Sequence, residues 1–160
     1  MGFANKHEQA LAVFNGLCAN LDAHEFPHQR HEDRLTIEGT ARGNDFPMEI
    51  NIEVDENRQL VILLSHQPLV VPEDKRLDMA VAASVVNNAL IDGSFDFDLK
   101  SGHMFFRMTS CYIDSLVGDE LFTYMIAVSL HTIDEYNDKF FMLAKGMMTL
   151  EQFLERFQNN

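Results

Sequence analysis

Positive charge is scarce in this chain. Only 12 lysines and arginines stand against 25 aspartates and glutamates, a formal net charge of -13 over 160 residues. Nor do the cations cluster: Arg30 and Arg34 stand among Glu32 and Asp33, and Lys75 and Arg76 follow Glu73 and Asp74. Binding a phosphate backbone or an anionic membrane takes concentrated Lys and Arg, so the balance argues against nucleic acid and membrane as direct partners. Cysteine is scarce too. Cys18 and Cys111 lie far apart with no metal or redox spacing, which argues against a disulfide framework and predicts buried, reduced thiols. Long apolar runs are missing, and the opening MGFANKHEQ turns charged at once. This predicts neither a signal peptide nor a membrane-spanning helix, and a bacterial cytoplasm as the compartment. Met1-Gly2 does not complete a myristoylation motif, because Lys6 occupies the position that wants Ser or Thr. Also absent are a Gly-rich phosphate loop and a G-x-S-x-G setting for Ser110, Ser115 or Ser129. There are no repeats, low-complexity tracts or linkers, so residues 1–160 read as one domain.

What is present is ordinary for a folded protein, with 46% apolar and 23% charged residues. The clearest stretch is Gly93 to Met108. Phe95, Phe97 and Leu99 alternate with Asp96, Asp98 and Lys100, Ser101-Gly102 supplies a turn, and Met104, Phe106 and Met108 resume the alternation. That is a β-hairpin. A two-residue loop puts Phe97 opposite Phe106 and Asp96 opposite Arg107; a four-residue loop puts Phe97 opposite Met104 and Asp98 opposite His103. Both registers keep the apolar residues on one face.

Around the hairpin the elements follow in order. Asn5 to Leu21 is an amphipathic helix with Asn5 as its cap. Asp22 to Asp33 is polar, rich in histidine and broken by Pro27. Leu35 to Ala41 is a strand, Gly43-Asn44-Asp45 a turn, and Met48, Ile50, Ile52 and Val54 mark the next strand. A third strand, Leu60 to Leu64, is apolar on both faces and calls for cover on both, by helices or a second subunit. Pro68 and Pro72 punctuate an extended connection. A helix then runs to about Ile91, with Leu77, Val81, Val85 and Ala89 as its apolar face and Asn87-Asn88 as capping or solvated residues. The hairpin's second strand continues through Cys111. The longest helix spans about Asp119 to Ala144 and is stopped by Gly146. Thr149 and Gln152 form a capping box for a last helix with Leu150, Phe153, Leu154 and Phe157 on one face. The expectation is an α+β fold, order α-β-β-β-α-β-β-α-α, with an antiparallel sheet of about five strands.

Candidate chemistry is thin. His24-Glu25-Phe26-Pro27-His28 matches H-E-x-x-H, a zinc motif whose mechanism needs a helix to bring both histidines to one face. Pro27 sits inside the span and works against that helix. His31 could join His24 and His28 in a loop site, so a metal-dependent hydrolase stands as the alternative reading. Asp96, Asp98 and His103 share a polar face, but nothing on an open strand raises a carboxyl pKa or excludes water. Phe105 differs: a large aromatic on the face assigned to solvent points to a partner surface or a packing helix. Nine methionines, Met142, Met147 and Met148 among them, suit either core filling or an adaptable surface.

The run from Asn87 through GSFDFD (93–98) to SGHMFFR (101–107) resembles the YbjN family, described as bacterial sensory transduction regulators. The long helix with HTIDEY (131–136), then Gly146 and the Thr149 helix start, is similar to that family's C-terminal half. The resemblance covers about Leu60 to Phe157. It implies a fold similar to the type III secretion chaperones, α+β domains that dimerise and bind extended client segments. It brings no catalytic residues. The reading is a homodimeric, non-catalytic protein-binding module without a cofactor, chaperone-like or regulatory, that binds a protein client or a second copy of itself. Clients would be taken by strand addition or apolar pockets. The candidate partner-binding residues are Phe105, Arg107, Val61 and Leu63.

Overall fold

The computed structural model describes residues 5–158, without the side chains of residues 157 and 158. The myristoylation reading of Met1-Gly2 and the placement of the Phe157 side chain therefore fall outside the described residues. Asn5 caps the first helix, α1 (Lys6–Ala23), by accepting the Glu8 backbone N–H on its side chain at 2.9 Å. Ala10, Val13, Phe14, Leu17 and Leu21 give α1 its buried stripe. The strands are β1 (His28–His31), β2 (Thr36–Arg42), β3 (Pro47–Asp55), β4 (Leu60–Val70), β5 (Ser94–Phe97) and β6 (His103–Cys111). Between β4 and β5 come a 3-10 turn, Glu73–Lys75, and α2 (Arg76–Ala89). After β6 come α3 (Asp119–Ala144) and α4 (Leu150–Gln158). The sheet is antiparallel, in the order β1-β2-β3-β4-β6-β5.

Two expectations about strands need correction. The sheet has six strands, not about five, because HQRH forms β1. Its four polar residues show no apolar alternation, yet they pair with β2 from His28↔Gly39 to His31↔Thr36. The third strand also runs on to Val70, through Pro68. The β4–β6 ladder is irregular between His66 and Val70, and that break accommodates a residue with no N–H to donate.

The hairpin adopts the four-residue loop. Phe97 faces Met104, the Asp98 N–H donates to the His103 carbonyl at 2.9 Å, and the Gly102 N–H donates to the Asp98 carbonyl at 2.8 Å. The Asp98 carboxylate accepts from the Ser101 hydroxyl at 2.6 Å, and this bond holds its pKa below the ordinary value. β5 lies at a sheet margin, and Asn87 of α2 closes it. The Asn87 amide donates to the Phe95 carbonyl at 2.9 Å and accepts the Phe95 N–H at 2.8 Å. Asn87 is thus a strand clamp rather than a cap or a solvated residue.

α2 is rotated from the phase read in the sequence. Met79, Ala82, Ala83 and Val86 are buried, whereas Leu77 is 74% exposed and Val81 and Ala89 face solvent. Both stripes repeat at helical spacing; the one with two alanines allows the closer approach to β5. α3 has the predicted bounds and joins the hairpin through an aromatic cluster. Phe140 packs edge-on to Phe95 at a centroid distance of 4.9 Å and stacks on Phe153 of α4 at 5.8 Å. The capping box forms as expected: the Gln152 N–H donates to the Thr149 hydroxyl at 3.2 Å, and the Thr149 N–H to the Gln152 side chain at 3.0 Å.

Tyr112, fully buried after β6, donates its hydroxyl to the Asp55 carbonyl at 3.0 Å. Burial, reinforced by the charges of Asp55 and Glu56, pushes its pKa up to about 12. Because the folded pKa lies above the ordinary value of 10, the stability it supports is intact below pH 10 and is lost as pH rises towards 12. A loss of up to about 2–3 kcal/mol is expected over that window. Urea unfolding at pH 8, 10, 11 and 12 measures it. Tyr112→Phe should flatten the decline, although Tyr136, also raised by burial, keeps part of it. An equal decline in the variant would remove Tyr112 as its source.

Candidate functional site

The helices pack on one face of the sheet. That face carries Ile37, Ile50, Ile52, Val54, Val61, Leu63, Phe95 and Phe106, all within the buried core. Among the described residues no helix lies over the opposite face. The ladder registers define its rows: Gln29, Glu38, Asn51, Leu64, Arg107 and Ser94 form one row across all six strands. Neighbouring rows hold Glu53, Ile62 and Thr109 on one side and His66, Phe105 and Asp96 on the other. Down the central strand the outward residues are therefore Leu60, Ile62, Leu64, His66, Pro68 and Val70, an apolar track interrupted by one histidine. Leu60, Ile62 and Leu64 are partly exposed, and His66, Pro68 and Val70 are exposed.

Phe105 lies on this face as expected, half-buried against His66 with ring centroids 5.8 Å apart. Arg107 is there too, held by Asp96 at 2.7 Å. Val61 and Leu63 are not. They are 1% and 0% exposed beneath the helices, so no partner reaches them. Alternation alone left open which side of this strand faces the helices. A clue lay in the turn: a four-residue loop over 56–59 pairs Val54 with Val61, which assigns Val61 to the face of Met48, Ile50 and Ile52. Leu60, Ile62 and Leu64 are the residues that sequence reasoning missed.

The other candidates do not assemble a reactive centre. His24 ends α1, Glu25 takes a positive φ of 52°, and His28 lies in β1, so the H-E-x-x-H segment is not helical. His24 and His28 turn their Nδ1 atoms to backbone carbonyls, those of Asn20 at 2.9 Å and Phe26 at 2.7 Å. His28 Nε2 accepts from Arg30 Nε at 3.0 Å, and Arg30 also binds Asp22, keeping that carboxyl below its usual pKa. Among the described residues no three His, Cys, Asp or Glu side chains are placed to hold a metal ion. Asp96 is engaged by Arg107, and Asp98 by its own turn. Of the two free thiols, Cys18 is buried as expected, and its pKa is raised by that burial. Cys111 instead lies exposed on the open face beside Leu60. No helix among the described residues is long and apolar enough to cross a membrane.

The profile of the YbjN family, described as "Putative bacterial sensory transduction regulator", matches residues 15–142. The chain belongs to this family. The match takes in the whole sheet and stops before α4. The chain is also similar in structure to a protein described as "Crystal structure of YbjN, a putative transcription regulator from E. coli". The two superpose with a TM-score of 0.58 at 13% identity, over 81% of this chain and 94% of that one. At that identity the likeness is one of fold. No curated protein matches the sequence.

Proposed function

We propose that this YbjN-family chain is a non-catalytic protein-binding module, regulatory or chaperone-like, that takes a protein partner on its helix-free sheet face. The observation behind this reading is the outward side of β4. A central strand whose solvent side reads Leu60, Ile62, Leu64 and Val70 keeps apolar surface in water, where an antiparallel sheet with one open face ordinarily carries polar residues. A regulatory role through protein contact also fits the charge, since a net -13 with no cationic patch is ill-suited to duplex DNA.

Phe105→Ser tests the surface. The side chain is half-buried on the outer face and outside the core, so the loss of its contact with His66 should cost no more than about 1–2 kcal/mol and leave the fold intact. Recovery of the partner captured with the tagged full chain should fall at least tenfold. Undiminished recovery would discard this face.

A further inference from the structure

We infer that the β4 track receives an amphipathic helix of another protein, with its apolar stripe on β4 and a row of lysines or arginines facing β3. This deepens the sheet-face reading above and rests on it. Three observations lead here.

The first concerns backbone. From Leu60 to Leu64, β4 is laddered on both sides, to β3 and to β6. A guest lying on it meets side chains and finds no free N–H or C=O. An extended peptide in that position would bury its own backbone groups unpaired, at about 1–3 kcal/mol for each one. A helix brings its hydrogen bonds with it. The sheet margins offer an extended guest little either. Phe95 of β5 is clamped by Asn87, and β1 is four polar residues long.

The second is length. Leu60 to Leu64 covers about 13 Å and Leu60 to Val70 about 33 Å at strand spacing, which a helix of about 9 to 22 residues matches.

The third is charge. Beside the track on β3 stand Glu49 and Glu53, both exposed and with no ion-pair partner among the described residues. Beyond them opens a cleft of about 550 Å³ lined by Gln29, Glu38, Thr40, Glu49 and Asn51. On the β6 flank the Arg107 charge is already taken by Asp96. Arg42 at the end of β2 shares this face, but Glu38, Glu49 and Glu53 outweigh it, so the flank is anionic on balance and long cationic side chains fit it. A second copy of this chain would bring the same acids and another net charge of -13, so charge opposes self-docking.

The test places p-benzoylphenylalanine at Ile62 in the full chain, in the cell that encodes it, with crosslinks from the same group at Leu77 as background. The crosslinked segment is identified, synthesised and titrated with the full chain, while circular dichroism follows its helicity. The expected result is a segment with an apolar stripe and a Lys/Arg flank that gains helicity on binding. Glu49→Lys with Glu53→Lys should weaken its binding at least tenfold, with an unchanged melting temperature. Three results would overturn the inference while leaving the sheet face as a binding surface: a crosslink to a second copy, a segment that stays extended, or indifference to the double charge reversal. Crosslinks no stronger than background would remove both the inference and the sheet-face reading.

Discussion

Phe140→Ala is expected to cost about 3–5 kcal/mol, the range for a fully buried phenylalanine truncated to a methyl group. Phe140 is 0% exposed and sits where three elements meet: its own α3, Phe95 of the hairpin and Phe153 of α4. The neighbours cannot collapse into the gap together, because Phe95 is also packed edge-on to Phe106 at 5.1 Å. Against a typical total stability of about 5–15 kcal/mol, this threatens the fold. Urea unfolding gives the value, and amide exchange in α4 should accelerate most, since the stack of Phe153 on Phe140 is lost. A loss below about 1.5 kcal/mol would show that the cluster does not tie α4 to the sheet.

Gly93→Ala should be nearly as damaging, at about 2–5 kcal/mol. Gly93 takes φ +76°, a region that costs an L-residue about 1–2 kcal/mol. A Cβ there would stand 2.3 Å from Cζ of Phe106, a ring with no exposure that also packs edge-on to Phe95. Overpacking of this kind adds about 1–3 kcal/mol. The urea midpoint should fall at constant slope. If it barely moves, the Phe106 ring yields more easily than its packing implies.

Much of the fold was legible because most elements carry one clear period. α3 shows a broad apolar stripe between Asp119 and Ala144, and its bounds follow from that. The hairpin alternates cleanly, yet two registers fit it equally; the Asp98 and Gly102 hydrogen bonds decide between them, and apolar pattern says nothing about such bonds. α2 failed for the opposite reason: it has two apolar stripes, and only packing against β5, α3 and α4 chooses the one with the small residues. β1 was invisible because an edge strand of HQRH has neither apolar alternation nor β-branched residues.

The candidate site was half legible. Phe105 and Arg107 announce themselves by breaking or completing the polar side of a hairpin. The β4 track does not, since a strand apolar on both sides gives no hint of which side is covered. Register resolves that, by matching β4 to the strand before it.

The closed margins of the sheet bear on how this protein behaves when concentrated. Side-by-side growth of sheets needs an open template at each rim, and here one rim is occupied by an asparagine amide while the other is a short polar strand behind Pro27. Ribbons and filaments are therefore disfavoured. The broad side adds no route to growth either, because two copies meeting there would each bring a net charge of -13.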